Sequence, residues 1–401
     1  MVSLAVIGIG GFGATHVEAA LRVADARLAR LAAVADTRLE AYPETVAELR
    51  ARGVACHASH EELFSQHRDL DLVTLPLPIP LHAPMTMECL KRGVHVLVEK
   101  PPAGTLAEVE QMAETARQVG RLCGVSFQLS TSAFFRAACD AIRAGKLGTV
   151  TDVSALCLAQ RPDDYYARTW WAGKIRANGR VVRDGPLNNP FAHMSQHLLS
   201  FGGAAQGRVA RPLSVEAELY AGHHIESEDT DAIRAVLDTG PTLRFYASLC
   251  SRDNWLTEIR VSGTQGTITW DNERLPDGEL AVADGTRAPM VQGGDRGGTT
   301  EAMFRNFIDV IEGRAARLAC PVEDTLAHAQ LVEVVFAGEH ITHLHGTDFV
   351  RRDESSTRDG SPQSARTYIE GMERVAREAF TTGRLYSEVG APWARPPHRA
   401  Q

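Results

Sequence analysis

The stretch "NNPFAHMSQHL", residues 188–198, places His193 and His197 four residues apart behind a pair of asparagines. Histidine moves protons near neutral pH and is the commonest metal ligand, so the spacing has a catalytic and a metal-binding reading beside plain helix packing. A zinc peptidase helix needs His-Glu-x-x-His, whose glutamate activates the metal-bound water; here Met194 stands in that place. No nearby cysteine or acidic cluster suggests a third ligand, and His340, His343 and His345, like the pair His223-His224, read as surface or packing residues. No metal is therefore expected. Lys100 is the second candidate for chemistry. "VHVLVEKPP" reads as a buried parallel strand, Val94 to Val98, that delivers Glu99 and Lys100 at its carboxyl end before Pro101 and Pro102 stop it. The alternative for Glu99-Lys100 is an ordinary solvated pair at a strand end.

The elements that must position these residues begin with "SLAVIGIGGFGATHVEAAL", a short apolar run, then Gly8-x-Gly10-x-x-Gly13, then a helix with Val17, Ala20 and Leu21 on one face. Such glycines permit the tight turn, admit a pyrophosphate to the backbone and pack the helix on the strand, while the helix start offers unpaired N–H groups to phosphate. A second apolar run ends in Asp36, at the separation expected of the residue that holds the adenosine ribose. A carboxylate there accepts from both ribose hydroxyls and repels a 2′-phosphate, which favours NAD; Thr37-Arg38 keeps NADP open, since the guanidinium can pair with a phosphate. Strand and helix patterns keep alternating through "GVACH", a Ser59-x-x-Glu62 capping box, "LDLVTL", the helix "LHAPMTMECLKRG" closing at Gly93, and a Thr105-x-x-Glu108 capping box. This is an α/β Rossmann pattern with a parallel sheet. Its ligands lie beyond the carboxyl ends of the strands, where Lys100 falls.

In order along the chain, Gly8-x-Gly10-x-x-Gly13, the segment "PLPIPLH" from Pro76 to His82, "EKPP" at 99–102 and "AGKLGTV" at 144–150 resemble the Gfo/Idh/MocA oxidoreductases over residues 3 to about 345. The resemblance implies NAD(P)-dependent oxidation of a sugar or cyclitol hydroxyl, Lys100 in the active site, Glu99 near the nicotinamide ribose and a cis peptide before Pro101. The candidate cofactor contacts are Gly8, Gly10, Gly11, Phe12, Gly13, Asp36, Thr37, Arg38, Pro76, His82, Glu99, Lys100 and Gln128. Family members commonly carry an Asp four residues before the active-site His on the helix after a glycine turn. Here Gly185 supplies the turn, Asn189 stands at the Asp position and His193 at the His position; where the stretch is helical, i, i+4 spacing puts Asn189, His193 and His197 along one side, with Pro190 suited to the first turn. A carboxylate beside Lys100 would hold it protonated more firmly than an amide does. Three readings stay open: Lys100 as proton acceptor, His193 as principal base with Lys100 polarising the substrate oxygen, or loss of redox function. The preferred reading divides proton handling between Lys100 and His193, with Asn189 orienting the hydroxyl and His197 packing. Hydride leaves a carbinol carbon only as the hydroxyl proton departs, which is why a base is wanted.

After Val150 the pattern changes to period-two runs, "VEAELY", "LRFYASL", "EIRV" and "TITW", joined by "DTGPT" and "GTQG" as hairpins: a mostly antiparallel sheet with one buried face in an α+β domain. The family resemblance implies a large open sheet there that often serves oligomer contacts, hence a homo-oligomer, dimer or tetramer. "DDYYARTWWAG" at 163–173 concentrates Tyr165, Tyr166, Arg168, Trp170 and Trp171; aromatic faces suit the C–H faces of sugars and arginine suits their oxygens, while core or subunit packing explains the aromatics equally well. Substrate contacts are thus expected at Arg168, Trp170, Trp171, Asn189 and His193. A helix follows with Phe304, Phe307, Ile308 and Ile311, ending at Gly313. From Thr347 come a polar linker, one amphipathic helix through Ile369, Met372, Ala376, Ala379 and Phe380, and a proline-rich end, placed to clasp a subunit, cover the cleft or pack as a surface helix. The expected divisions are 1–130, 131–346 and 347–401.

The 401 residues carry a net charge of -8, which gives no electrostatic reason to expect nucleic acid or an anionic membrane as partner. Seven scattered cysteines without a C-x-x-C pair argue against a disulfide framework, and no signal peptide or spanning segment is apparent, so a cytoplasmic protein is expected. Two alternatives to the dehydrogenase stay open: an NAD-dependent glycoside hydrolase of the same fold, and a non-catalytic dinucleotide or sugar sensor.

Overall fold

The computed structural model describes residues 1–252, 256–291, 299–338, 340–354 and 364–400. The chain divides into two compact units, Met1–Ser132 with Gly297–Leu326, and Ala133–Arg296 with Ala327–Gln401.

The first unit alternates β1 (Val2–Ile7), α1 (Gly13–Asp25), β2 (Ala29–Ala35), α2 (Pro43–Ala51), β3 (Ala55–His57), α3 (His60–Gln66), β4 (Leu72–Leu75), α4 (Ile79–Lys91), β5 (His95–Glu99), α5 (Leu106–Val119) and β6 (Cys123–Ser126). The strands form one parallel sheet in the order β3-β2-β1-β4-β5-β6, the arrangement of a Rossmann dinucleotide fold. Every residue of β1, β4 and β6 is buried, which is why these strands read as mostly apolar runs without strict alternation, broken only by the small hydroxyl residues Ser3, Thr74 and Ser126. Ser59 and Thr105 cap α3 and α5 through the backbone N–H of Glu62 and Glu108. Gly93, with φ +83°, follows the end of α4.

The second unit holds α6 (Ala133–Arg143), β7 (Val150–Leu158), the short hairpin β8 (Arg176–Ala177) and β9 (Arg180–Val181), α7 (Ala192–Gly203), β10 (Pro212–Ala221), β11 (Thr230–Leu237), β12 (Thr242–Ser248), β13 (Leu256–Gly263), β14 (Gly266–Asp271), β15 (Leu275–Val282) and β16 (Arg287–Pro289). The chain then returns to the first unit with α8 (Thr300–Ile311), and ends in the second with α9 (Leu326–Val335), β17 (Ile341–His343), β18 (Val350–Asp353), β19 (Arg366–Ile369), α10 (Met372–Thr382) and β20 (His398–Ala400). The sequence places α8 in the second domain; instead it packs on α1 and β6. Phe304 meets the edge of the His16 ring, and Phe307 fills the space that a side chain at Gly124 would need.

The large sheet runs β16-β15-β14-β13-β7-β12-β11-β10-β17, with β20 also on β10. It is antiparallel except where β7 pairs with β12 and β10 with β17. The expectation of one buried face needs correction for its central strands. On β7 every residue from Val153 to Leu158 is buried, because α10 and α7 both pack on β7 and β12. Leu156, Leu158, Ala232 and Tyr246 form one core with Met372, Val375, Ala379, Phe380, Tyr386 and Trp393. By strand alternation, Ala155, Cys157 and Phe245 line the opposite face. The segment expected as a separate tail therefore belongs to this unit's core, and the sheet face beneath α10 is not available to a second subunit. Ile369, expected in the amphipathic helix, ends β19, and the helix begins at Met372 after Gly371 at φ +73°. The polar linker falls largely at 355–363, outside the described residues.

Candidate active site

In the first unit, the turn after β1 is built from glycine by necessity. Gly8 and Gly11 have φ of +96° and +55°. A Cβ at Gly13 would stand 2.3 Å from the Gly8 carbonyl oxygen, and one at Gly8 would stand 3.1 Å from that of Pro76, so helix, turn and the β4 loop close on one another only without side chains. Asp36, just beyond β2, accepts from Ile9 N through Oδ2 at 2.9 Å and from Arg38 N through Oδ1 at 2.8 Å. It is thereby held beside the glycine turn. Thr37 and Arg38, which follow it, and Phe12 in the glycine turn are exposed. Tyr42, which no motif marks, packs its hydroxyl over Gly10 and accepts from Arg38 at 3.3 Å.

Beyond the carboxyl end of β5 lies a second cluster. Glu99 is 5% exposed, and its carboxylate lies 2.9 Å from His16 Nε2 through Oε1 and accepts from Lys100 N through Oε2 at 3.1 Å. His16 Nδ1 lies 3.3 Å from Thr74 Oγ1, so α1, β4 and β5 meet at one buried imidazole. Burial alone would push the Glu99 carboxyl up, but the hydrogen bond and charge of His16, with the charge of Lys100, hold it below the usual carboxylate range. These protein contacts hold the Glu99 carboxylate at the carboxyl end of β5, on the edge of the sheet where the family resemblance implied the nicotinamide ribose. The Lys100–Pro101 peptide is cis, as the resemblance implied, and Lys100 is half-buried. His82, expected among the cofactor contacts, is 1% exposed, with ring nitrogens 2.7 Å from the carbonyl oxygens of Pro101 and Leu77. It ties the "PLPIPLH" loop to the Lys100 loop, and burial pushes its imidazole down despite both carbonyls. Gln128, just past β6, has a buried Oε1 without a hydrogen-bond partner. A crowded glycine turn, a held carboxylate at β2 and this orphaned acceptor at β6 all suit a dinucleotide laid across the carboxyl edge of the sheet.

In the second unit, α7 starts at Ala192, with Phe191 at its N-cap. Asn189 and Pro190 therefore lie in the turns before the helix rather than in its first turn, a correction to the helical spacing read from "NNPFAH". Asn189 N donates to Gly185 O at 2.9 Å, and the side-chain Nδ2 donates to Asp184 Oδ1 at 2.7 Å. A carboxyl group thus stands against the Asn189 amide, on Asp184 rather than at position 189. His193 occupies the first turn of α7 and is 8% exposed. His197, one turn on, stacks on Phe135 at 4.4 Å, and burial alone lowers its imidazole to about 3. Asn188 Oδ1 lies 3.3 Å from His328 Nε2, and His328 Nδ1 lies 3.1 Å from Ser195 Oγ, which pins α7 to α9.

The aromatic loop is ordered by its own cation. The Arg168 guanidinium lies 3.7 Å from the Tyr165 ring centre and 5.8 Å from that of Trp171. Tyr166 packs on His223, and Trp170 is 42% exposed. His223, Asp229 and Cys250 approach one another closely enough to hold a metal ion. Asp229, however, already accepts from Gly222 N, His223 N and Thr230 Oγ1 and lies 2.8 Å from His223 Nδ1, while His223 Nε2 sits 3.0 Å from Arg161 O. These bonds make it a structural network.

Sequence reasoning missed His16, Tyr42, Asp184 and His328. His16 carried a usable signal, because it shares a helix face with Ala20 and Val23, and a polar residue on an apolar face requires a buried partner.

Residues 2–127 match the family model of the Gfo/Idh/MocA oxidoreductases, described as an NAD-binding Rossmann fold. A Streptomyces violaceoruber dTDP-3,4-didehydro-2,6-dideoxy-alpha-D-glucose 3-reductase is 31% identical over 307 residues, 73% of this chain and 83% of that protein. The chain belongs to this family. As a Gfo/Idh/MocA protein it is an NAD-binding oxidoreductase. A further relative, an inositol 2-dehydrogenase of Rhizobium meliloti, is 26% identical over 83% of this chain and 95% of its own length. In structure, the chain is similar to the WlbA dehydrogenase from Bordetella pertussis in complex with NADH and UDP-GlcNAcA, with a TM-score of 0.70 and 20% identity over 84% of this chain and 95% of that one. At that identity the likeness concerns the fold. No described helix of this oxidoreductase is long and apolar enough to cross a membrane.

Proposed function

We propose that this oxidoreductase transfers a hydride between NAD and a CH–OH carbon of a sugar, sugar derivative or cyclitol. The carrying observation is that Lys100 stands half-buried at the end of β5, on the same carboxyl edge of the sheet as the glycine turn and Asp36. When bound, NAD supplies the hydride acceptor at its nicotinamide ring. The protein's part is the proton. As the C–H bond of the carbinol breaks, the O–H proton must leave, and Lys100 and His193 are the groups assigned to take it. Asn189, its nitrogen turned to Asp184, offers its amide oxygen edge to a hydroxyl, while Arg168, Trp170 and Trp171 hold the sugar face. In the reducing direction the same groups return the proton to the carbonyl oxygen.

The relatives named as a ketosugar-nucleotide reductase and an inositol dehydrogenase support this substrate class. The sheet face under α10 is already used within the chain, so a homo-oligomer of this protein would use other strands. Seven unpaired cysteines, six of them buried, support a reducing, cytoplasmic setting. The test is NAD reduction across a panel of inositols, aldoses, anhydrosugars and nucleotide sugars. The reading expects NADH to accumulate in proportion to one class of substrate. Substrate consumption without net NADH would favour the glycoside hydrolase, which regenerates its cofactor each cycle.

A further inference from the structure

Asp184 is 3% exposed and spends its two oxygens on two different segments. Oδ1 accepts from Asn189 Nδ2 at 2.7 Å, and Oδ2 accepts from Gly173 N at 2.7 Å. Gly173 closes the aromatic loop, and Asn189 belongs to the turn that leads into His193. A carboxylate only accepts, so the nitrogen edge of the Asn189 amide must face Asp184 and its oxygen edge must point the other way. We propose that Asp184 is a positioning residue that sets the aromatic loop and the turn before His193 as one piece, and so fixes the orientation of the Asn189 amide toward substrate. The proposal rests on the reading of these two segments as the substrate side of the site.

The surroundings hold Asp184 itself in place. The hairpin β8–β9 turns through Asn178 and Gly179, both at positive φ, and Asp184 N donates to Lys174 O at 2.9 Å as Val182 N and Arg183 N return to Ile175 O. Arg183, at φ +51°, occupies the left-handed region directly before Asp184, a conformation kept only where neighbouring contacts enforce it. On the far side, Gly173 O accepts from Glu226 N and Ser227 N, and a Cβ at Gly173 would meet Ile225 and Tyr166 at 2.9 Å. Both ends of the clamp are therefore anchored, and Asp184 is the bond between them. Glu228 packs against Gly185, and Asp231 accepts from Leu187 N at 3.2 Å, so further carboxyl groups stand behind the turn that the Asp184–Asn189 bond holds.

Asp184→Asn keeps the volume and one acceptor, which can serve Gly173 N, but turns a donor toward the Asn189 amide. The proposal expects kcat/KM for the reactive substrate to fall by up to about 100-fold, the scale of an Å-sized misplacement, with NAD affinity and thermal midpoint close to wild type. The double variant Asp184→Asn/Asn189→Asp exchanges the partners: the new amide donates to the new carboxylate and still accepts from Gly173 N. It should recover at least about tenfold of the loss if position is what matters. Hydrogen exchange supplies a readout that does not depend on turnover. In Asp184→Asn, residues 163–173 and 185–191 should both exchange faster. The proposal is overturned if Asp184→Asn exchanges like wild type, if only one segment responds, if the swap recovers nothing, or if NAD affinity falls as much as kcat/KM. A wild-type protein that reduces NAD with no substrate would instead count against the proposed function, while the exchange result would still decide the clamp.

Discussion

His16 Nε2 lies 2.9 Å from Glu99 Oε1 in a site where both side chains are buried, which joins the first helix after the glycine turn to the strand that carries Lys100. The pair lets the chain direction at Lys100 depend on α1. Removing one partner of a buried pair leaves the other charged and desolvated, so His16→Ala should cost about 3–5 kcal/mol in urea unfolding. Glu99→Gln should cost less, because the amide oxygen keeps a hydrogen-bond partner for the His16 ring. Since the folded Glu99 carboxyl lies below its ordinary 4.5, its contribution is complete above that pH and is lost as pH falls through the lower folded value. His16→Ala should therefore flatten the acid limb of the stability curve.

Asp36 should decide between the two nicotinamide cofactors. Its carboxylate is set beside the turn by Ile9 N and Arg38 N, and a negative charge there opposes a 2′-phosphate. Asp36→Ser should shift the ratio of kcat/KM for NAD over NADP at least about tenfold toward NADP, with exposed Arg38 available to the phosphate. An unchanged ratio would remove Asp36 from the ribose site.

His197 should matter for stability and not for turnover. Its imidazole sits at about 3 in the folded state against 6.5 when unfolded, so the unfolded chain takes up a proton that the folded chain refuses. Between about pH 6.5 and 3, this residue makes stability fall by about 1.4 kcal/mol for each unit of acidification. His197→Leu should lessen that slope and leave kcat near wild type, whereas His193→Ala should not spare kcat.

Trp393 is 1% exposed and meets Tyr220 edge-on at 4.9 Å and Tyr386 at 5.5 Å. Trp393→Ala should lower stability by about 3–5 kcal/mol, seen as a drop in thermal midpoint. A change no larger than that of an exposed residue would contradict the placement of the final segment in the core of its unit.

The glycine turn, Asp36, the capping boxes and the Lys100 strand were legible because each is a local pattern, in which spacing along the chain equals spacing in the structure. Asn189 was misplaced by a few residues because i, i+4 spacing persists across a turn that is not helical, and Pro190 fits either. Asp184 was invisible because its importance lies in two bonds, one to a segment eleven residues earlier. The central strands looked one-sided because the residues that cover them, Met372 to Trp393, lie more than 120 positions beyond β12 and carry no mark of their target.

Deuterium transfer distinguishes hydride chemistry with a protein-held proton from the other readings of this site. A substrate deuterated at the reacting carbinol carbon, incubated with NAD and enzyme, should yield one deuterium in the reduced nicotinamide for each substrate oxidised. Lys100→Met and His193→Ala should each slow that transfer by about 100-fold or more while still binding NAD. Reduced nicotinamide without deuterium, or transfer at the wild-type rate in both variants, would contradict the account.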